Sequence, residues 1–168
     1  MKKIFILLIF FTISLTNFAY SISPDVFIQS TVNRASQILS ENISKEEKIN
    51  RLKMIAKETV DIRGVGFYSL GSARKNLNND QKNTYINLFE NYFLKSFSSR
   101  LAEYSNPEIE VNSKEKLSDN YTMVSSTLIA TEQRPEVKID WRIYTKNPEN
   151  PLIRDLICLL YTSHAADE

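Results

Sequence analysis

Residues 78–111 read NNDQKNTYINLFENYFLKSFSSRLAEYSNPEIEV, and the character of the chain changes inside this stretch. Asn78-Asn79-Asp80-Gln81 is a helix-capping sequence. Tyr85, Leu88, Phe89, Tyr92, Phe93, Phe97, Leu101 and Tyr104 then mark one helical face over about five turns. Pro107 ends the helix, because it offers no backbone N–H and clashes with the preceding turn. Beyond it the period falls to two, with Ile109 and Val111 opening a strand. Tyr121 to Thr131 is rich in Thr, Val and Ile, as strands are. Glu136 to Tyr144, EVKIDWRIY, alternates: Val137, Ile139, Trp141 and Ile143 face one way, Lys138, Asp140, Arg142 and Tyr144 the other. Asn147-Pro148-Glu149-Asn150-Pro151 is a turn, and Leu152 to Ile157 a further strand.

Upstream the chain is helical. Ser23-Pro24-Asp25 combines a capping residue, Pro at the first helical position and an acid in the first turn. Phe27, Ile28, Val32, Ala35 and Leu39 follow at helical spacing. Ser44-Lys45-Glu46-Glu47 has the form of a capping box, and Ile49, Leu52, Ile55 and Ala56 form the stripe behind it. Helices first and meandering strands second predict an α+β fold: N-terminal helices packed on a curved antiparallel sheet, with an apolar pocket between them.

All three glycines, Gly64, Gly66 and Gly71, fall in VDIRGVGFYSLGSA, residues 60–73. A phosphate-cradling loop would use them, but the spacing matches neither a P-loop nor a dinucleotide fingerprint. A short helix, ended and allowed close approach by glycine, accounts for them better.

The first residues read as a secretory leader. Lys2 and Lys3 precede an apolar run, Ile4 to Phe18, and Ala19-Tyr20-Ser21 places small residues for cleavage after Ser21. The run is short for a bilayer span, which needs ~20 residues. No Cys near Ser21 could carry a lipid anchor, so the mature product is expected in the periplasm as a soluble protein. The chain has 21 basic and 20 acidic residues, so nothing favours nucleic acid as a partner.

The only Cys is Cys158 and the only His is His164, so ordinary nucleophilic triads and zinc sites have no material, and no metal or other cofactor is expected. Asp140, beside Trp141, would matter to catalysis if it entered an apolar interior. Alternation instead turns it outward. The aromatic face from Tyr85 to Tyr104 is either an ordinary core or one wall of an apolar cavity, and periodicity does not separate the two.

Four segments in register resemble the MlaC, or toluene-tolerance auxiliary, family: DIRGVGFYSLG, the long aromatic helix ending in Arg100-Leu101-x-x-Tyr104, the strand with Asp140-Trp141-Arg142, and LIRDLI. The resemblance covers about Ser23 to Ile157. It implies a carrier, not an enzyme, that holds glycerophospholipid acyl chains inside and the headgroup outside. Its implied partners are an inner-membrane ABC transporter with an MCE-domain protein and an outer-membrane lipoprotein complex. By motif position and face, the expected lipid-binding residues are Val65, Tyr68, Leu88, Tyr92, Phe93, Phe97, Val124, Leu128, Val137, Ile139, Trp141 and Ile143. A small enzyme of the ketosteroid-isomerase-like superfamily, using Asp or Tyr in the same cavity, is the alternative, and an interaction module with a filled core is a third.

Two features depart from the family pattern. Ser72-Ala73-Arg74 stands where the family usually has Tyr-Trp-Arg. After Ile157 the string CLLYTSHAADE replaces an expected closing strand and helix and resembles adapter read-through. The sequence therefore divides into a leader at 1–21, an incomplete lipid-binding domain at 22–157 and a foreign tail at 158–168.

Overall fold

The computed structural model describes residues 21–132 and 134–160. Among these residues four α-helices precede four strands: α1 (Pro24–Ser40), α2 (Lys45–Thr59), α3 (Ile62–Ser69), α4 (Asn79–Leu101), β1 (Ile109–Ser118), β2 (Tyr121–Leu128), β3 (Val137–Tyr144) and β4 (Leu152–Leu160). The strands form one antiparallel meander in the order β1-β2-β3-β4. This is the α+β architecture that the sequence predicts. Residues 1–20 of the leader lie outside the described residues, as does most of the tail, 161–168.

The caps explain why the helices begin where they do. Asn78 and Gln81 form a complete capping box, each side chain bonding the other's backbone N–H at 2.9 and 3.0 Å. At α2 only half the expected box forms. Ser44 Oγ accepts from the Glu47 N–H at 3.1 Å, while the Glu47 carboxylate turns to Arg51, 2.7 Å away. At α1 the Ser23 hydroxyl donates to the Asp25 carboxylate rather than capping the backbone, and Lys114 of β1 donates to both.

The glycine stretch is a helix, α3, capped by Asp61, which accepts from the Gly64 N–H at 2.8 Å. Gly66 lets α3 close on α4, since a Cβ there would come within 2.9 Å of Ile86 and Phe89. Gly71, at φ +55°, turns the chain out of that helix.

The apolar interior forms two packed groups. Ile28 and Val32 of α1 pack on the inner sheet face, against Val124, Leu128, Val137, Ile139, Trp141, Ile143 and Ile153. Ala56, Ile62 and Leu94 pack the helices together, with Phe89, Phe93 and Phe97 half-buried around them. Val60 touches both groups. A parallel bridge from Val60 to Ile153, and the Asp61 N–H donating to the Ile153 carbonyl at 2.9 Å, join the helices to β4.

Two expectations change. The buried positions of α4 are Ile86, Leu94 and Ser98, whereas Leu88 and Tyr92 are 65% and 71% exposed. At 100° per residue, Leu88 and Tyr92 point about 160° and 120° away from Ile86. The stripe is centred between two flanks that are both rich in apolar residues, and spacing alone does not tell the outer flank from the inner. Beyond Ile157, β4 continues to Leu160, pairing Cys158, Leu159 and Leu160 with Ile139, Lys138 and Val137. The edge strand β1 runs to Ser118 with register shifts near Val111 and Lys116, irregularities that bend an edge strand and blunt it against pairing.

Candidate functional site

Between the two packed groups lies a cavity of about 360 Å³. This is within the ~300–1,000 Å³ range of small-molecule sites. Its wall is assembled from helix stripes and alternate strand residues. Val32, Ala35 and Leu39 of α1 and Leu52, Ile55 and Ala56 of α2 face Leu128, Val137, Ile139, Trp141, Ile153 and Leu156 of the sheet. Phe97, Leu101 and Tyr104 close it along the C-terminal end of α4.

The wall's polar groups are mostly occupied within the protein. Thr31 Oγ1 and Thr59 Oγ1 each donate to the carbonyl four residues back, at 2.8 Å. Ser36 Oγ donates to the Pro107 carbonyl at 2.9 Å. The Trp141 indole N–H donates to Ser126 Oγ at 2.8 Å. What remains facing the interior is therefore apolar, suited to hydrocarbon and poorly suited to bonding a polar substrate. Cys158 lines the cavity from β4, and desolvation pushes its thiol pKa up, which lowers its nucleophilicity at neutral pH. Asp140 lies on the outer face of β3, where its carboxylate accepts from Ser125 Oγ at 2.6 Å. Among the described residues no carboxylate lines the cavity, and no group of three or more His, Cys, Asp or Glu comes together.

Of the twelve residues expected to bind lipid, Phe97, Leu128, Val137, Ile139 and Trp141 meet in this wall. Val124 and Ile143 are on the same inner sheet face but are fully buried in packed core. Phe93 lies in a row of stacked rings on α4 that runs Tyr85, Phe89, Phe93, Phe97, with centroids 5.4–6.1 Å apart. Only the last of these rings reaches the cavity. Val65 is half-buried on α3, away from the wall. Tyr68, Leu88 and Tyr92 are exposed, so Leu88, Phe93 and Trp141 do not share one cavity. The α1 and α2 residues were legible as stripes, but nothing in their spacing distinguished a stripe that packs from one that borders a void.

Helices on one face of an open antiparallel sheet, around an apolar cavity, define an α+β binding domain in architecture. The chain belongs to the MlaC family: the family model, described as MlaC protein, matches residues 29–159. Among solved structures it is similar to the phospholipid-binding protein from Ralstonia solanacearum, determined in complex with a phospholipid. The TM-score is 0.66 at 13% identity, over 80% of this chain and 77% of that one. No curated protein sequence matches the chain. Among the described residues no helix is long and apolar enough to cross a membrane.

Proposed function

We propose that this protein carries phospholipid, with acyl chain in the cavity between α1, α2, α4 and the sheet. The observation that carries the reading is the cavity itself: apolar, and walled by residues whose polar atoms mostly bond within the protein. Family membership and the lipid-bound structural neighbour support it. Each methylene moved from water into such a cavity is worth about 0.8 kcal/mol, so one ordinary acyl chain is held against water by ~10 kcal/mol or more. Against a bilayer the gain is small, because a membrane interior is as apolar as the cavity. Carriage is then near-reversible, and direction comes from partners. In this reading the protein shuttles lipid through the periplasm, after removal of its leader, between an outer-membrane lipoprotein complex and an inner-membrane ABC transporter with an MCE-domain protein. The absence of a carboxylate from the described wall favours carriage over isomerase-like chemistry.

The test is mass spectrometry of lipid extracted from the purified full chain. Near-stoichiometric glycerophospholipid is expected. An empty extract, together with no uptake from phospholipid vesicles, would show the reading to be wrong.

A further inference from the structure

Arg100 is the one charged residue in the described cavity wall, and it is exposed, so it marks the rim. It sits at the C-terminal end of α4, one turn before Tyr104, which also lines the cavity. Over that tyrosine lies Arg134, from the connection between β2 and β3, with its guanidinium carbon 4.8 Å from the ring centroid. Leu128 and Val137, the paired residues that end β2 and begin β3, border the same cavity, so this connection lies at its edge. One guanidinium thus lines an otherwise apolar cavity, and a second lies over a tyrosine of its wall.

Neither has an anionic partner among the described residues. Arg134 Nε and Nη2 are shut off from solvent and meet no hydrogen-bond acceptor. No ion pair or side-chain hydrogen bond holds Arg100. Glu103, Glu132 and Glu136, the nearest acids in sequence, are exposed, and none pairs with either guanidinium. A buried guanidinium with idle donors is costly unless an anion meets it, and its planar fork suits a phosphate. A ligand with hydrocarbon in the cavity would hold its polar end at this rim.

We propose that Arg100 and Arg134, set around Tyr104, form the anion site that takes the ligand's phosphate, so that the protein selects phosphate-bearing lipids over neutral ones. This deepens the carrier reading and rests on it. Cation–π contact with Tyr104 orients Arg134, and Tyr104 and Phe97 both line the cavity that takes the acyl chain.

The experiment offers the delipidated full chain vesicles that contain phosphatidylglycerol and diacylglycerol with identical acyl chains, and measures bound lipid by mass spectrometry. The wild type is expected to prefer the phospholipid by roughly tenfold or more. Arg100→Gln and Arg134→Gln should each reduce that preference and together abolish it, while diacylglycerol uptake persists. Arg134→Lys, which keeps charge without the fork, should restore it in part. Arg100 is exposed, so Arg100→Gln remains informative if an Arg134 variant does not fold. Equal uptake by the wild type, or unchanged preference in the variants, overturns the anion site while leaving the carrier reading intact. Uptake of neither lipid overturns the carrier reading and this site with it. Calorimetry with inorganic phosphate forms the last arm. Phosphate binding lost in Arg134→Gln without change in lipid preference would assign the arginines to free phosphate and overturn the headgroup role.

Discussion

Trp141 and Ser126 are joined across the β2–β3 pair by a 2.8 Å bond from the indole N–H to the hydroxyl oxygen, and both residues are buried. The bond lets the largest side chain of the sheet line the cavity while its one polar atom is satisfied by a serine that does not line it. Ser126→Ala leaves that N–H without an acceptor and should destabilise the protein by about 1–3 kcal/mol in urea unfolding. Adding Trp141→Phe to Ser126→Ala should cost less than the sum of the two single changes, because the second removes the orphaned donor.

Filling the cavity tests its role without breaking a bond. Ala35 borders the space from α1 and is half-buried. Ala35→Phe should reduce lipid co-purification severalfold while the melting temperature stays within a few degrees, since the ring enters space that packing has left open. An equal loss of stability and lipid would mean that the ring disrupts the fold instead of occupying the site.

The exposed flank of α4 supplies the complementary test. Leu88→Ser and Tyr92→Ser should change stability by no more than about 0.5 kcal/mol, as surface substitutions do, and should leave lipid loading unaltered. Reduced loading in a folded variant would return these residues to the binding site.

Much of this was readable from the chain, and the exceptions share a cause. The Asn78–Gln81 box, the alternation from Val137 to Ile143 and the glycine-bearing helix are local, set by spacing and capping within a few residues. The position of Leu88 and Tyr92 was not, because α4 carries apolar side chains around more than half its circumference and only its neighbours decide which flank is covered. Val124 and Ile143 were correctly turned inward, but whether an inward residue meets a void or another side chain depends on the opposite layer. Arg134 gave no signal at all: an arginine in a polar connection is ordinary until its nitrogens are found buried.

Acid should loosen the contact between α1 and β1. The Asp25 carboxyl is lowered from its ordinary 3.8 to about 2, first by the hydrogen bond from Lys114 and then by that from Ser23. A group depressed in the folded state contributes stability above its unfolded pKa and loses it as pH falls through the folded value. Melting temperature should therefore carry a component that declines between about pH 4 and pH 2, and Asp25→Asn should remove it. The Asp25 side chain is 34% exposed and the Lys114 side chain 47%, so the component is no more than about 1 kcal/mol after solvent screening.

The wall formed by β4 depends on a connection to the helices that reaches beyond the cavity lining. Ile153, Leu156 and Cys158 line the space, and the strand that bears them is held to the helices at Val60 and Asp61. Asp61 acts twice there: one carboxylate oxygen caps α3 at Gly64, and the other lies 2.5 Å from Arg154 of β4. Both side chains are largely covered, at 19% and 24% exposure, and the Arg154 guanidinium also lies over the Tyr144 ring, 4.5 Å from its centroid. Asp61→Asn keeps an acceptor for the cap but loses the charge opposite a largely buried guanidinium. It should cost about 1–3 kcal/mol. Asp61→Ala removes the cap as well and should cost about 1 kcal/mol more. Because the lost contacts tie β4 to α3, the second variant should also release lipid faster at temperatures well below its melting point. Asp140→Asn is the control, since Asp140 bonds Ser125 on the outer face of the sheet and supports no part of the wall. Lipid release from Asp61→Ala no faster than from Asp140→Asn would show that β4 keeps its place through sheet pairing alone.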